Sequence, residues 1–503
     1  MRYAVAISLY VIMYTLIPVR VFGKADDYNT LASKLTEQSL PLVNLEVNTG
    51  SISKEKYTDG TIELTDFHQR TEKGQRKVRY RCRVKYRGAT SMRYEKKSFG
   101  IKIIDKEGKK INVSIMGIAT DDTWMLDAMA IDRIRMRNRV CFDLWNKISH
   151  TPYNTKHGNR NGIQGVFVEL FLNGEYHGLY CLEDKVTRRL LSLEKIEQSN
   201  GKATPHGLMY KCVGNGRGHA LNDYNDKASM TRFEWNNWEL KYPDEDDIAS
   251  PNATFWKPLQ NVMDFCGRKT PKETFSKQVD RWFYVDNVIL YSVFTNALGI
   301  WDNAWKNTFL STPDIQKSHR FLITPWDMDA SMGGTWSGEH APGRTSIHRY
   351  DTIAPYNRLR SLDVDGYRMR LVACWDTLRD KDLSYDSVTA QIDCYATAFT
   401  ESGAWQREYS KWNGKPVPLT EDINEELDYV KEWYQRNHDY LLDALLADVK
   451  TPIEDIYPEA DTTNIPPTVE IPLYDVSGKK IPTHHHPGRI IVVTHHRKYL
   501  YRK

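Results

Sequence analysis

The sequence predicts an α+β chain with a β-rich front, a helix-rich back and a small β tail. Three observations predict it. Residues 40–105 carry runs that alternate with a period of two. After about residue 250, apolar residues recur at helical spacing. A Pro-, Asp- and Thr-rich run over 451–467 then separates this body from short β-like segments. Composition agrees. Of 503 residues, 40% are hydrophobic and 12% aromatic, enough apolar content to offset ordering entropy and exclude a disordered chain. With 29 Gly and 21 Pro, collagen-like and low-complexity classes are excluded too. The net charge of +4 is too near balance for a nucleic-acid binder, so no nucleic-acid partner is expected.

The elements follow in order. Met1-Arg2, the uncharged run Tyr3 to Ile17 and the small residue Gly23 have the layout of a signal peptide. The run is shorter than the roughly 20 residues a membrane span needs. Residues 1–23 are therefore expected to be a cleaved signal, leaving a secreted, periplasmic or surface protein with no stable membrane span. Leu40 to Val47, Gly60 to Thr65, Val78 to Tyr86 and Phe99 to Ile103 read as strands. The alternating basic residues of 78–86 read as a solvated sheet face. Asn138 to Ile148 has a helical stripe of Val140, Leu144, Trp145 and Ile148. Residues 165–183 form a hairpin about Asn173-Gly174, the strongest short-range hairpin signal. Helices are expected over 279–298 and 421–446, and β-like runs over 468–476 and 489–494. The expected domains are a β-rich lobe at 24–240, a mainly helical lobe at 241–450, a linker at 451–466 and a β module at 467–503. The seven cysteines form no CxxC pair, and most sit in apolar contexts, as buried small hydrophobes do.

Two clusters carry the chemistry. The first is Gly299 to Leu310, with Asp302 and Asn307 five residues apart. About twenty residues on, the strand-like Arg320 to Pro325 runs into Trp326-Asp327-Met328-Asp329. An acid and an amide in one loop, then a strand, then another acid, is the layout protein kinases use for hydroxyl activation and metal binding. Hard cations prefer such oxygen ligands. The spacing alone also fits a calcium or purely structural loop, or paired glycosidase carboxylates. The second cluster, Tyr86 to Phe99, is small, polar and basic between two strands. Its backbone N–H groups and cationic heads suit a polyphosphate, although it is neither GxxxxGK[ST] nor GxGxxG. His484 to His486 and His495-His496 flank turn residues and read as solvated turns.

Five ordered blocks give the chain a family resemblance. They are Arg87-Gly-Ala-Thr-Ser with Lys96-Lys97-Ser98-Phe99, then Trp124-Met-Leu with Met136-Arg137-Asn138. Phe167 to Lys185 and Lys241-Tyr242-Pro243 follow, and last comes Asp302…Asn307 with Pro325 to Asp329. Over about 40–335, and to about 450 if Gln435-Arg436 is included, the chain resembles the spore-coat protein H kinase-like family, CotH. The resemblance implies a divergent bilobal protein-kinase-like fold that uses ATP with Mg²⁺ or Mn²⁺. It implies phosphorylation of an exported or surface protein on Ser or Thr. Carried over by motif, Asp302 is the catalytic acid, and Asn307, Asp327 and Asp329 are the metal side. Arg87, Lys97 and Arg137 take phosphate-facing roles, and Glu183 is placed to pair a lysine. The chain departs from the family pattern at Ala89-Thr90, where Asn-Ser is usual, and at Tyr94-Glu95, where a Pro is common. Its tail, Val469 to Ile481, resembles small C-terminal modules of secreted bacterial proteins. The rival expectation is a non-catalytic surface, coat or adhesin-type binding protein on the same scaffold.

Overall fold

In a computed structural model, residues 27–71, 74–153, 159–214, 218–304, 306–343 and 353–452 are described, with four short tail strands. Alternation in the front half is realised as a closed barrel of seven strands. These are β1 (Leu42–Val47), β2 (Thr58–Thr65), β3 (Lys77–Arg87), β4 (Ser98–Ile104), β5 (Thr123–Asp127), β6 (Gly165–Leu172) and β7 (Glu175–Glu183). The barrel order is β1-β2-β3-β4-β5-β7-β6, and β6 closes it by running parallel to β1, Leu42 opposite Glu169. Val78, Cys82 and Val84 of β3 point inward while Arg79 and Arg81 face solvent, as a period of two requires. The β6–β7 turn is Asn173-Gly174, at φ 53° and 85°, which Asn and Gly take at least cost.

A second sheet of five strands builds the site. Its order is β9 (Glu234–Trp235), β10 (Trp238–Tyr242), β8 (Leu208–Cys212), β11 (Thr308–Thr312) and β12 (Leu322–Pro325). Position 240/241, the expected lobe boundary, lies inside β10, and the sheet takes strands from both sides of it. The helices of nine residues or more are α1 (Arg137–Ile148), α2 (Ala253–Cys266), α3 (Val285–Ala297), α4 (Tyr367–Leu378), α5 (Tyr385–Glu401), α6 (Ala404–Trp412) and α7 (Ile423–Val449). One large core joins α1, the second sheet and these helices; a separate core fills the barrel.

The expected helix over 279–298 is broken. A 3₁₀ turn covers Val279–Arg281, and α3 begins only at Val285. The backbone between them is drawn into a bridge: Phe321 donates its N–H to the Trp282 carbonyl, and Tyr284 donates to that of Phe321. α7 starts at Ile423, capped by the Asp422 carboxylate, which accepts from the Asn424 N–H. In the tail, Leu473–Tyr474 pairs with Lys480–Ile481, and Arg489–Val493 pairs with Lys498–Arg502. Of the expected run over 468–476, Leu473–Tyr474 is a strand and the rest lies outside the described residues; the 498–502 strand was not expected. Residues 1–23, most of the linker and the tail histidines lie outside the described residues. All seven cysteines are free, and five are buried. Among the described residues no helix is long and apolar enough to cross a membrane.

Candidate active site

The β11–β12 hairpin brings the two acidic loops together. Thr308 lies opposite Pro325, so Asn307 just before β11 faces Trp326 just after β12. The Trp326 N–H donates to the Asn307 carbonyl at 3.0 Å. Asn303 stitches the same loops through its side chain, donating to the Trp326 carbonyl at 2.9 Å and the Asn307 carbonyl at 3.2 Å. From the other side, the Met328 N–H donates to Asn138 Oδ1 of α1 at 3.0 Å. Asn307 and Asp327 both sit in the left-handed region, at φ 58° and 57°. Asn and Asp tolerate it better than other side chains do, and such conformations concentrate at functional sites.

Asp302 occupies a short 3₁₀ turn at Asp302–Ala304. Its Oδ2 accepts from Asn307 Nδ2 at 2.9 Å and lies 3.2 Å from the Lys306 ammonium. Its side chain is 22% exposed, which leaves it reachable. Asp327 is exposed to solvent, with protein packed closely around it. That crowding raises its carboxyl pKa; Lys211 opposes the rise and Asp302 adds to it. Burial, then the charges of Asp327, Asp127, Asp132 and Asp302, hold the Asp329 carboxyl well above its ordinary range. Clustered carboxylates of this kind are what a divalent cation relieves.

Cations face these acids. Arg87, at the end of β3, is half-buried with its guanidinium 5.7 Å from the Trp326 ring centre. Burial lowers its pKa, opposed by Asp127, Glu183 and Asp327. Lys211 of β8 stands 5.1 Å from the same ring, its pKa pushed down to about 8 by burial, with Asp327 opposing the fall.

The other expected residues sit differently. Lys97 is engaged by its own loop: its ammonium donates to the Met92 carbonyl at 2.7 Å and to that of Tyr94. Arg137 is buried in α1, paired with Asp132 at 2.6 Å. Asp132 also accepts from the N–H groups of Met136 and Arg137, so this pair caps α1. Glu183 pairs with no lysine among the described residues. It is buried at the end of β7, beside Asp127 and Arg139, and burial pushes its carboxyl up to about 8. The buried Lys–Glu pair is instead Lys96 with Glu408 of α6, at 2.6 Å and fully enclosed. Both lysines lie just before β4, outside the strand, and it is Lys96 that is buried and reaches Glu408 while Lys97 stays half-buried.

Sequence reasoning missed Asn303, Asn138, Lys211 and Asp127. Asn303 and Asn138 lay within quoted motifs but carried no charge to attract a role. Lys211 had a signal, as the one cation in the apolar strand Leu208–Cys212.

The Asn307 amide and the Asp327 and Asp329 carboxylates, on loops joined by the β11–β12 hairpin, are oxygen donors of the kind Mg²⁺ or Mn²⁺ takes. Among the described residues no three His, Cys, Asp or Glu side chains form a closed metal cage. No curated protein matches the chain. The CotH kinase protein family matches residues 84–441, starting inside β3 and running through Gln435-Arg436 of α7. All the site residues above fall within this span, which covers most of the sequence. The chain therefore belongs to the CotH kinase protein family, whose membership suggests a kinase-like function.

Proposed function

We propose that this chain is an exported protein kinase that transfers the γ-phosphoryl group of ATP to Ser or Thr of an exported or surface protein. One observation carries the reading: the β11–β12 hairpin sets Asp302 and Asn307 against Asp327 and Asp329, with Arg87 and Lys211 facing them. Asp302 is a partly exposed acid held in place on its loop. It orients the acceptor hydroxyl and takes its proton, while the Asn307 amide and the Lys306 ammonium fix the carboxylate's position. Asn303 and Asn138 hold the two loops in register, so the acids need no rearrangement to act. A bound Mg²⁺ or Mn²⁺, held by Asp327 and Asn307 with Asp329, would neutralise charge on the phosphates. The signal at 1–23 supplies the route out of the cytoplasm.

The test uses purified protein, labelled ATP, Mn²⁺ or Mg²⁺ and a Ser-rich acceptor. The expected result is transfer or autophosphorylation that Asp302→Ala abolishes. Transfer equal in wild type and Asp302→Ala would overturn the reading. A thermal midpoint raised by ATP and Mn²⁺ without any transfer would replace it with the non-catalytic binding protein.

A further inference from the structure

We infer that a cavity behind the acidic loops is a binding site for a small uncharged molecule with an apolar body and one O–H or N–H group, anchored on Asn303. The site is separate from the proposed phosphoryl-transfer centre and stands whether or not the chain transfers phosphate.

Strand alternation gives the second sheet two different faces. On one, Lys211 of β8 and Phe309 of β11 stand opposite each other and pack toward Trp326. On the other, Thr308 and Leu310 of β11 and Ile323 of β12 line a cavity of about 40 Å³. Phe283 and Ile353 line it from segments outside the sheet, and Asn303 and Lys306 from the loop that carries Asp302. One water needs roughly 10–15 Å³, so the space takes roughly three waters or one small ring.

Asn303 gives this cavity a polar point. The residue is 2% exposed. Its Nδ2 donates to the carbonyls of Asn307 and Trp326, which uses both amide protons. Both partners are acceptors, so the amide cannot be turned round, and Oδ1 lies on the far side from them. That oxygen is enclosed and accepts no hydrogen bond among the described residues. A buried acceptor left unmet carries a free-energy cost that a donor removes. Water is a poor donor here, because it needs about two to four polar partners and the lining is mostly apolar. An apolar molecule with a single donor satisfies the oxygen and the walls together. Charge on the ligand is disfavoured. Lys306 is engaged by Asp302 at 3.2 Å, and burial pushes the Cys212 thiol of the lining up to about 12, keeping it neutral. The ligand would share the amide that stitches the two acidic loops, so its binding bears on their register.

The experiment titrates the full chain with phenol and with benzene, a ring of similar size without the donor. Calorimetry reads affinity, and methyl NMR on labelled isoleucines reads location. Phenol should shift the Ile323 and Ile353 methyls and leave Ile62, in the barrel core, unmoved. It should bind about fivefold or more tightly than benzene. Ile353→Phe fills the space and should weaken phenol by about tenfold or more, with the unliganded melting midpoint checking that the variant folds. Wild type that does not bind phenol, or methyl shifts confined to other isoleucines, would overturn the site. So would a folded Ile353→Phe that binds as wild type does. Benzene bound as tightly as phenol would remove Asn303 as the anchor. If Ile353→Phe does not fold, the wild-type methyl shifts and the phenol-to-benzene ratio decide the matter alone.

Discussion

Two charge clusters in this molecule are built on opposite plans. In the first, Glu408 of α6 receives Lys96 at 2.6 Å and Arg135 at 2.7 Å, with every side chain fully enclosed. Its second oxygen accepts from the Leu179 N–H at 2.7 Å, and Arg135 also donates to the carbonyls of Met129, Ala130 and Asp132. Gly178 makes this approach possible: a Cβ there would stand 2.8 Å from Glu408 Oε2, and its φ of 136° suits glycine. In the second cluster, around Asp327, acids adjoin acids, Arg87 and Lys211 make no ion pair among the described residues, and the carboxylate is open to solvent. Charges that complete one another and are sealed hold α6 to the barrel. Charges left incomplete at an opening are suited to a ligand that completes them.

The comparison can be broken at either end. The largest effect is expected in the open cluster: Asp302→Ala should lower phosphoryl transfer by about 10²–10⁴-fold, with a melting midpoint close to wild type. A large drop in midpoint instead would move Asp302 to the architectural side. In the closed cluster, Glu408→Ala leaves two buried cations unpaired and should cost about 3–5 kcal/mol of stability by chemical denaturation. Adding Lys96→Met should recover part of the loss; no recovery would mean that the pair is not what Glu408 supplies. Asn303→Ala should act on both scales, costing roughly 1–3 kcal/mol and lowering kcat more than it raises KM. Unchanged kinetics would remove Asn303 as the stitch between the loops.

The smallest effect is a pH dependence beside the closed cluster. Burial pushes the His177 pKa down to about 4, and Lys411 and Lys96 add to the shift. The folded state thus binds fewer protons than the unfolded one between about pH 4 and 6.5. Its contribution is present above pH 6.5 and is lost as pH falls toward 4, by roughly 1–2 kcal/mol near pH 5. Denaturation of His177→Asn at pH 5 and 7 should show a flatter slope than wild type. An equal slope would mean that His177 titrates normally.

What the sequence made legible was mostly local. The Asn173-Gly174 hairpin, the β3 alternation and the α1 stripe each depend on neighbours within a turn or two. Asp302, Asn307, Asp327 and Asp329 were singled out by motif order, and the β11–β12 hairpin brings their two loops together. Barrel closure was not, because β1 meets β6 across more than a hundred residues. The Lys96–Glu408 pair was hidden for the same reason: its partners are 312 positions apart. Lys97 and Arg137 were given phosphate-facing roles from their charge and their place in the family motifs, and packing shows that loop carbonyls and Asp132 engage them.

The left-handed backbone at Asn307 and Asp327 also limits how this site can drift. For most L-residues that conformation costs about 1–2 kcal/mol, and the alphabet that escapes it is short: Gly, Asn and Asp. Asp327→Glu would keep the charge but add a methylene on a backbone that disfavours it. Exchange between Asp and Asn keeps the shape while changing the charge. The two positions are thus better able to lose their chemistry than to vary it. A descendant of this sequence that abandoned catalysis would be expected to keep its loops and show Asn or Gly at 327.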